Sequence, residues 1–384
     1  MEEELMRKSA VVLTLSCLLM FGPAWTPRVS DAQTPQFVNK IAEALEFNGF
    51  IQPRWQYTSE RDVIPNNTFR IRRAEVYIKP TLTPRIKSTI GMDVVPTALS
   101  LKDVFLDFLV SPKGYFTVRM GHWKKPFSRE ELRSSSAILT VDRGRMSEEF
   151  GPSRLAYQER DMGVAVLGDF YEAKAPFEYQ FGIFNGNGAN QPTDTDSRKG
   201  VVGRVEAIPV AGFSIGASFN INDLGVSLAR GVSDTLGYPG NEGSFKARAY
   251  GLDWKVQKKG FILEGEFRSG DNWRGGVIGG RASANILGKR QVIRGVTVRG
   301  VYVTAVYKAP TKSKDLPFVE PGFRVEKYDP NTKAANDGST FYTPYVGFYF
   351  HEHARLQLNA VVEKPRNSAR QTITTFVAQW TVRY

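Results

Sequence analysis

Residues 115–132 read YFTVRMGHWKKPFSREEL. In the first half Phe116, Val118 and Met120 alternate with Thr117, Arg119 and Gly121, the period-2 pattern of a strand with one apolar and one polar face. The second half abandons the pattern: Lys124, Lys125, Arg129 and Arg133 open a segment of about 35 residues, far longer than an ordinary connection. The next alternating run begins at Arg160. A strand thus delivers a cluster of cations into a long loop, and the surroundings of that loop decide what the cations can do.

The N-terminus narrows the compartment. Arg7 and Lys8 precede an apolar run from Ala10 to Phe21, and Ser30-Asp31-Ala32 supplies a small-x-small cleavage pattern, so residues 1–32 read as a secretory signal peptide. Cys17 lies in that run, which leaves the exported chain without cysteine and excludes disulfides and thiol chemistry. Removing residues 1–32 takes away three bases and four acids and raises the formal charge from +12 to +13. An excess of that size on an exported protein points to an anionic partner, and export makes nucleic acid a poor one.

No later stretch reaches the 18 or so consecutive apolar residues of a membrane helix. Phe37, Val38, Ile41 and Leu45 fall on one helical face, so a short periplasmic segment is expected over 33–46, ahead of a barrel over 47–384. Alternating runs follow near 47–58, 69–80, 85–95, 101–110, 115–123, 160–170, 177–185 and 200–207. They continue near 212–220, 245–256, 260–268, 298–307, 318–327, 341–350, 355–363 and 372–384, making sixteen. Every second connection is short, as at 81–84, 111–114, 257–259 and 351–354, whereas the others are mostly long and polar, as at 124–159, 186–199, 221–244 and 269–297.

Loops that alternate in length by parity emerge on one side, which a soluble β-sandwich does not require. An even number of strands near ten residues, with short turns at one end and long loops at the other, is the pattern of an outer-membrane barrel. In lipid the ring must close, because only closure pairs every strand N–H and C=O where no water is available. The fold expected is therefore an all-β transmembrane antiparallel barrel of about sixteen strands, its long third external loop folded inward. The last run fits: Phe376, Ala378, Trp380, Val382 and Tyr384 share one face, Thr375, Gln379, Thr381 and Arg383 the other. A terminal aromatic on the lipid face resembles the signal read by the outer-membrane assembly machinery, which makes Tyr384 the expected contact.

Several segments resemble the phosphate-selective porin O and P family. They are FRIRRAEVYIKP (69–80), DVFLDFLVSP (103–112), VRMGHWKKPFSREEL (118–132), QFGIFNGNG (180–188), GRVEAIP (203–209), GVYVTAVYKAP (300–310), FVEPGFRVEKYD (318–329) and ARLQLNAVVE (354–363). The glycine, Lys-Pro-Phe and Arg-Glu-Glu run after the fifth strand is the most specific. The resemblance implies a homotrimeric, anion-selective outer-membrane porin for phosphate or similar small inorganic anions. Glu130, Glu131, Glu148 and Glu149 depart from a purely cationic filter and keep a weakly selective diffusion porin open as a second reading. A barrel enzyme or adhesin is the third.

A charge turned toward lipid at mid-depth costs about 2–4 kcal/mol, so the apolar face of each strand tells which cations face water. By that rule Arg73, Lys87, Arg119, Arg204 and Arg324 point into the lumen, while Arg70 and Arg72 fit either face or the rim. Glu320 and Glu326 share the face of Arg324 and can neutralise it. With Lys124, Lys125, Arg129 and Arg133 of the third loop these are the expected pore-lining, anion-binding residues, since rings of arginine and lysine favour anions in pores. No catalytic group, metal site or cofactor is expected. Gly212-Phe213-Ser214-Ile215-Gly216 fits G-x-S-x-G but lies in an alternating strand with no helix after it. His351 and His353 could hold a metal with Glu352, yet their place is a short turn.

Overall fold

A computed structural model describes residues 45–384 apart from 61, 96–97, 152–154, 156, 158, 192, 195–196, 227–242 and 273–294. The signal peptide and most of the expected segment over 33–46 lie outside the described residues. The strands are β1 (Leu45–Thr58), β2 (Asn67–Thr83), β3 (Ile86–Val95), β4 (Ala98–Leu109), β5 (Thr117–Lys124), β6 (Arg160–Asp169), β7 (Phe177–Phe184), β8 (Gly200–Val210) and β9 (Phe213–Val226). They continue as β10 (Gly243–Lys258), β11 (Phe261–Asp271), β12 (Thr297–Tyr307), β13 (Ala309–Pro310), β14 (Phe318–Asp329), β15 (Ser339–His351), β16 (Ala354–Pro365) and β17 (Ile373–Arg383). The two residues of β13 pair with the start of β14, which β12 also joins, so the pieces make sixteen staves of a closed antiparallel barrel.

Closure is made by β1 against β17, from Phe50 opposite Arg383 to Thr58 opposite Thr375. Gly49 and the terminal Tyr384 extend the seam, each donating its N–H to the other's carbonyl at 3.0 and 3.1 Å. A Cβ on Gly49 would lie 2.4 Å from the carbonyl oxygen of Glu75 and 2.7 Å from the Tyr384 ring, so only glycine fits there. Leu45, counted with a helical face in the sequence, instead pairs with Pro80. The third strand-to-strand link occupies only residues 96–97, an exception to the rule that every second loop is long.

Burial is inverted relative to a soluble protein. Met120 is 69 % exposed, and Phe116, Val164, Val201, Val205, Phe323, Phe376 and Trp380 are exposed too. Gln52, Arg54, Arg73, Arg204, Arg268, Glu266 and Gln379 are buried. Apolar outside and polar inside follows from acyl chains on one side of the wall and water on the other. Near the short turns Tyr115 stacks on Phe170 and Phe170 on Phe177, with centroids 4.9 and 4.7 Å apart, part of an aromatic girdle.

Of the two register shifts along β2, the one against β3 lies at Thr81–Thr83 and the one against β1 concerns the arginines. Gln52 faces Arg73 and Pro53 faces Ile71, so Arg72 is an extra residue with none opposite it, a β-bulge. Beyond it Phe69 and Ile71 are exposed outward, and Arg70 stands opposite the buried, inward Arg54. Were Arg72 paired regularly instead of bulged, the inward position of Arg73 would propagate to Ile71 and Phe69.

Candidate functional site

The segment between β5 and β6 contains two short helices, α1 (Arg129–Leu132) and α2 (Arg145–Glu149), and a 3-10 turn at Ser135–Ala137. Ser128 caps α1, its hydroxyl accepting from the N–H of Glu131 at 3.2 Å. Helix α2 is capped from the wall: the carboxylate of Glu326 on β14 accepts from the N–H of Arg145 at 3.0 Å and from that of Met146. An acid at a helix N-terminus satisfies N–H groups that have no partner within the helix. Phe127, Met146, Phe150 and Tyr157 are buried and form one cluster, Phe127 lying 6.3 Å from Phe150 and Phe150 5.7 Å from Tyr157. A Cβ on Gly144 would lie 2.1 Å from atoms of both Arg324 and Glu326, which explains glycine at the start of α2.

Ion pairs fix the first part of the segment. Arg129 donates from Nε to Asp253 on β10 at 2.7 Å and from Nη2 to Glu206 on β8 at 2.8 Å. Arg133 pairs with Glu264 on β11. Glu130 is held between Arg324 of β14 and Arg268 of β11, both buried. Burial pushes the Glu130 carboxyl upward, but the two guanidinium groups outweigh it and hold the group down at about 2.

The next part reaches other strands. Arg54 of β1 grips Asp142 with two bonds of 2.8 Å, and Gln52 donates to the carbonyl of Ser135 at 3.1 Å. From β16 Arg355 donates to the carbonyls of Ser136 and Ile138 at 2.9 and 3.0 Å, and Arg383 of β17 donates to Ser136 at 2.6 Å. Burial raises the Asp142 carboxyl less than Arg54, Arg73 and Arg72 lower it, so it stays well below the usual carboxylate range. The partners of this single segment sit on strands from both halves of the ring.

The cations singled out in the sequence nearly all have partners. Arg119 forms a bidentate pair with Asp107 at 2.7 Å and lies over the Phe105 ring. Lys124 donates to the carbonyls of Glu131 and Arg133 at 2.6 and 3.1 Å. Lys125 is 2 % exposed, its Nζ 3.9 Å from Asp161. Arg204 pairs with Asp253 and Glu206, Arg324 with Glu130 and Glu326, and Arg73 donates to Gln52 at 3.0 Å. Lys87 is exposed and shares a cavity of about 310 Å³ with Asp107, Asp169, Glu178 and Arg204.

A larger cavity of about 520 Å³ brings together residues that the sequence left undecided. Arg70 and Arg72 line it with Arg54, Asp142, Arg143, Arg145 and Glu148. Arg70 donates to Gln56 at 2.9 Å and, among the described residues, has no carboxylate within ion-pairing distance. Arg72 comes no nearer than 3.8 Å to Asp142, which Arg54 already holds. Arg143 is tied to the carboxylate of Glu131 at 3.1 Å, and Arg145 to Glu149 at 2.9 Å. The bulge at Arg72 is what turns Arg70 and Arg72 into this cavity. Its sequence signal, two arginines in a row breaking the alternation at 72–73, was present but ambiguous.

The model described as phosphate-selective porin O and P matches residues 53–229. No curated protein sequence matches the chain. Among solved structures, the barrel is similar to OprB of Pseudomonas putida, with 11% identity, 92% of this chain and 97% of that chain covered, and a TM-score of 0.62. It is similar to the outer-membrane channel DcaP of Acinetobacter baumannii at 10% identity, covering 88% and 97%, with a TM-score of 0.56. The trimer form of OmpT, an outer-membrane protein of Vibrio cholerae, aligns at 10% identity over 88% and 99%, with a TM-score of 0.55. Identities this low establish a shared fold.

Proposed function

We propose that this outer-membrane porin, whose residues 53–229 belong to the phosphate-selective porin O and P family, passes small anions passively and prefers phosphate or a similar oxyanion. The observation that carries the reading is the position of Arg70 and Arg72 in the larger cavity, exposed or half-buried, Arg70 with no carboxylate at ion-pairing distance among the described residues and Arg72 with only a long 3.8 Å contact to the Asp142 that Arg54 holds. Arginine binds phosphate oxygens bidentately, and a water-excluding wall strengthens its field. The segment from Lys125 to Glu159 serves as the constriction beside this pair, supported by its bonds to strands around the ring. In this reading Arg73, Arg119, Lys124, Lys125, Arg129, Arg133, Arg204 and Arg324 shape the channel and hold the constriction, while Lys87 lines the lumen nearer the short turns. A homotrimer accords with the family and with the trimer form of one similar barrel.

A KCl gradient across a planar bilayer tests the selectivity. A reversal potential near the chloride limit, with chloride current blocked by phosphate, is the expected result; cation preference overturns it. Asp142, Glu148 and Glu363 line the same cavity, and these acids favour the second reading, a weakly selective pore, should the reversal potential fall near zero.

A further inference from the structure

The outward face of the barrel is not uniform at the long-loop end. On β12 Tyr307, Ala305, Val303 and Val301 face outward in turn, and the next outward residue is the exposed Arg299. The same kind of apolar run ends in Arg248 on β10, in Lys327 on β14 and in Lys364 on β16, all exposed. Residues 301–307 span about 20 Å of strand, most of the roughly 25 Å apolar band of such barrels, so the cations stand at the outer edge of that band. On β2, β3, β4 and β6 the corresponding ends carry Phe69, Val94, Leu99 and Met162, exposed and apolar. The cationic edge therefore belongs to the β10–β16 side of the ring.

Among the described residues none of these four cations has a carboxylate within ion-pairing distance, because the acids nearest in the register are engaged elsewhere. Asp329, opposite Arg299, pairs with Arg366 at 3.4 Å, and Glu363, beside Lys364, with Arg370 at 3.8 Å. Asp271 accepts the backbone N–H of Arg248 at 2.9 Å. Arg299 lies over the Phe267 ring at 5.9 Å and Lys364 over the Tyr342 ring at 5.6 Å. Long cationic side chains at the edge of an apolar band lay their stems along it and lift their heads to the interface. Lys327 is opposite Thr340, and Thr340 is opposite Lys364, so the two lysines stand about 10 Å apart. Arg299 lies one outward position beyond Val301, the partner of Lys327 on the other side.

We infer that the row formed by Arg248, Arg299, Lys327 and Lys364 docks the phosphate groups of an anionic lipid in the outer leaflet, whose acyl chains lie on the apolar runs beneath. Cations beside an anionic lipid surface attract its headgroups individually, and their effects accumulate along a row. The apolar run directly below each cation selects a lipid over a soluble phosphate, since it meets the chains at the place where the headgroup is held. The inference is independent of what the lumen passes.

The test titrates fluorescently labelled diphosphoryl lipid A onto the full-length protein in a neutral detergent and follows its anisotropy. Arg299→Gln combined with Lys327→Gln and Lys364→Gln should weaken binding about fivefold per cation removed and leave single-channel chloride conductance unchanged. Thr340→Lys, which adds a cation between Lys327 and Lys364, should tighten binding about fivefold and decides the matter if the triple variant fails to assemble. Lipid A stripped of its phosphates should bind the wild type more weakly than the diphosphoryl form. Equal affinity of wild type and an assembled triple variant, or equal binding of the two lipids by the wild type, overturns the inference. Affinity that Thr340→Lys leaves unmoved overturns the assignment to this row.

Discussion

The carboxylate of Glu130, in the third loop, lies between the guanidinium groups of Arg324 and Arg268 on the barrel wall, with Arg324 Nη2 at 3.4 Å and Arg268 Nη2 at 3.5 Å. Both arginines are buried, and Glu130 shares with Glu266 and Glu326 the task of making their charges tolerable there. Glu130→Ala should destabilise the barrel, by less than the about 3–5 kcal/mol of a wholly unpaired buried charge because Arg268 keeps Glu266 and Arg324 keeps Glu326. A lower temperature of heat modification on gels and a noisier open-channel current would register it. A quiet current at wild-type stability would show that the remaining anchors suffice.

Acid should reproduce that loss reversibly. The folded Glu130 carboxyl sits at about 2, below its ordinary value of 4.5, so its contribution is complete above that ordinary value and fades as pH falls toward the folded one. Current noise should be the same at about pH 7 and pH 5 and increase below about pH 3. A Glu130→Gln channel, with no proton to gain, should show little further pH dependence in that range.

Selectivity should respond to Arg70 and Arg72 before it responds to the lysines. Replacing both arginines by Gln should move the reversal potential in a KCl gradient toward zero and weaken phosphate block several-fold. Lys124→Gln with Lys125→Gln removes charges that are already bonded inside the protein, so it should lower stability more than selectivity. Lys333→Glu, on an outer loop, should change neither much. Equal effects at all three places would mean that general surface charge governs the current.

Assembly should depend on the seam. Deleting Tyr384 removes the partner of Gly49, and Gly49→Val drives a side chain into Tyr384 and the carbonyl of Glu75. Both changes should reduce the amount of heat-modifiable barrel in outer-membrane fractions. Wild-type levels from either would remove the role given to that contact.

The staves were legible because lipid on one side and water on the other impose a period of two that little else produces. Arg204 between the exposed Val201 and Val205, and Arg324 beside the exposed Phe323, lie inward as that rule requires. Pairing across long separations was not legible: Arg129 meets Asp253 across 124 positions and Arg133 meets Glu264 across 131, and no local pattern encodes such partners. Of the acids read as departing from a cationic filter, Glu130 also holds the loop to the wall, through partners on β11 and β14 far along the chain. The helices α1 and α2 span four and five residues, too short to show an apolar stripe.

The extra residue at Arg72 works on β2 as an inserted letter works on a message read in pairs. Everything on the outer side of it keeps its spelling and exchanges its meaning, so that Phe69 and Ile71 address acyl chains while Arg70 addresses ions. Pairing the same residues without the bulge would invert the assignment for the whole outer end of the strand, whereas deleting Arg72 would restore regular pairing and leave Ile71 outward and Arg70 inward. The ionic preference of such a barrel therefore depends on where the bulge sits, because a bulge absorbs an extra residue without turning the rest of the strand over.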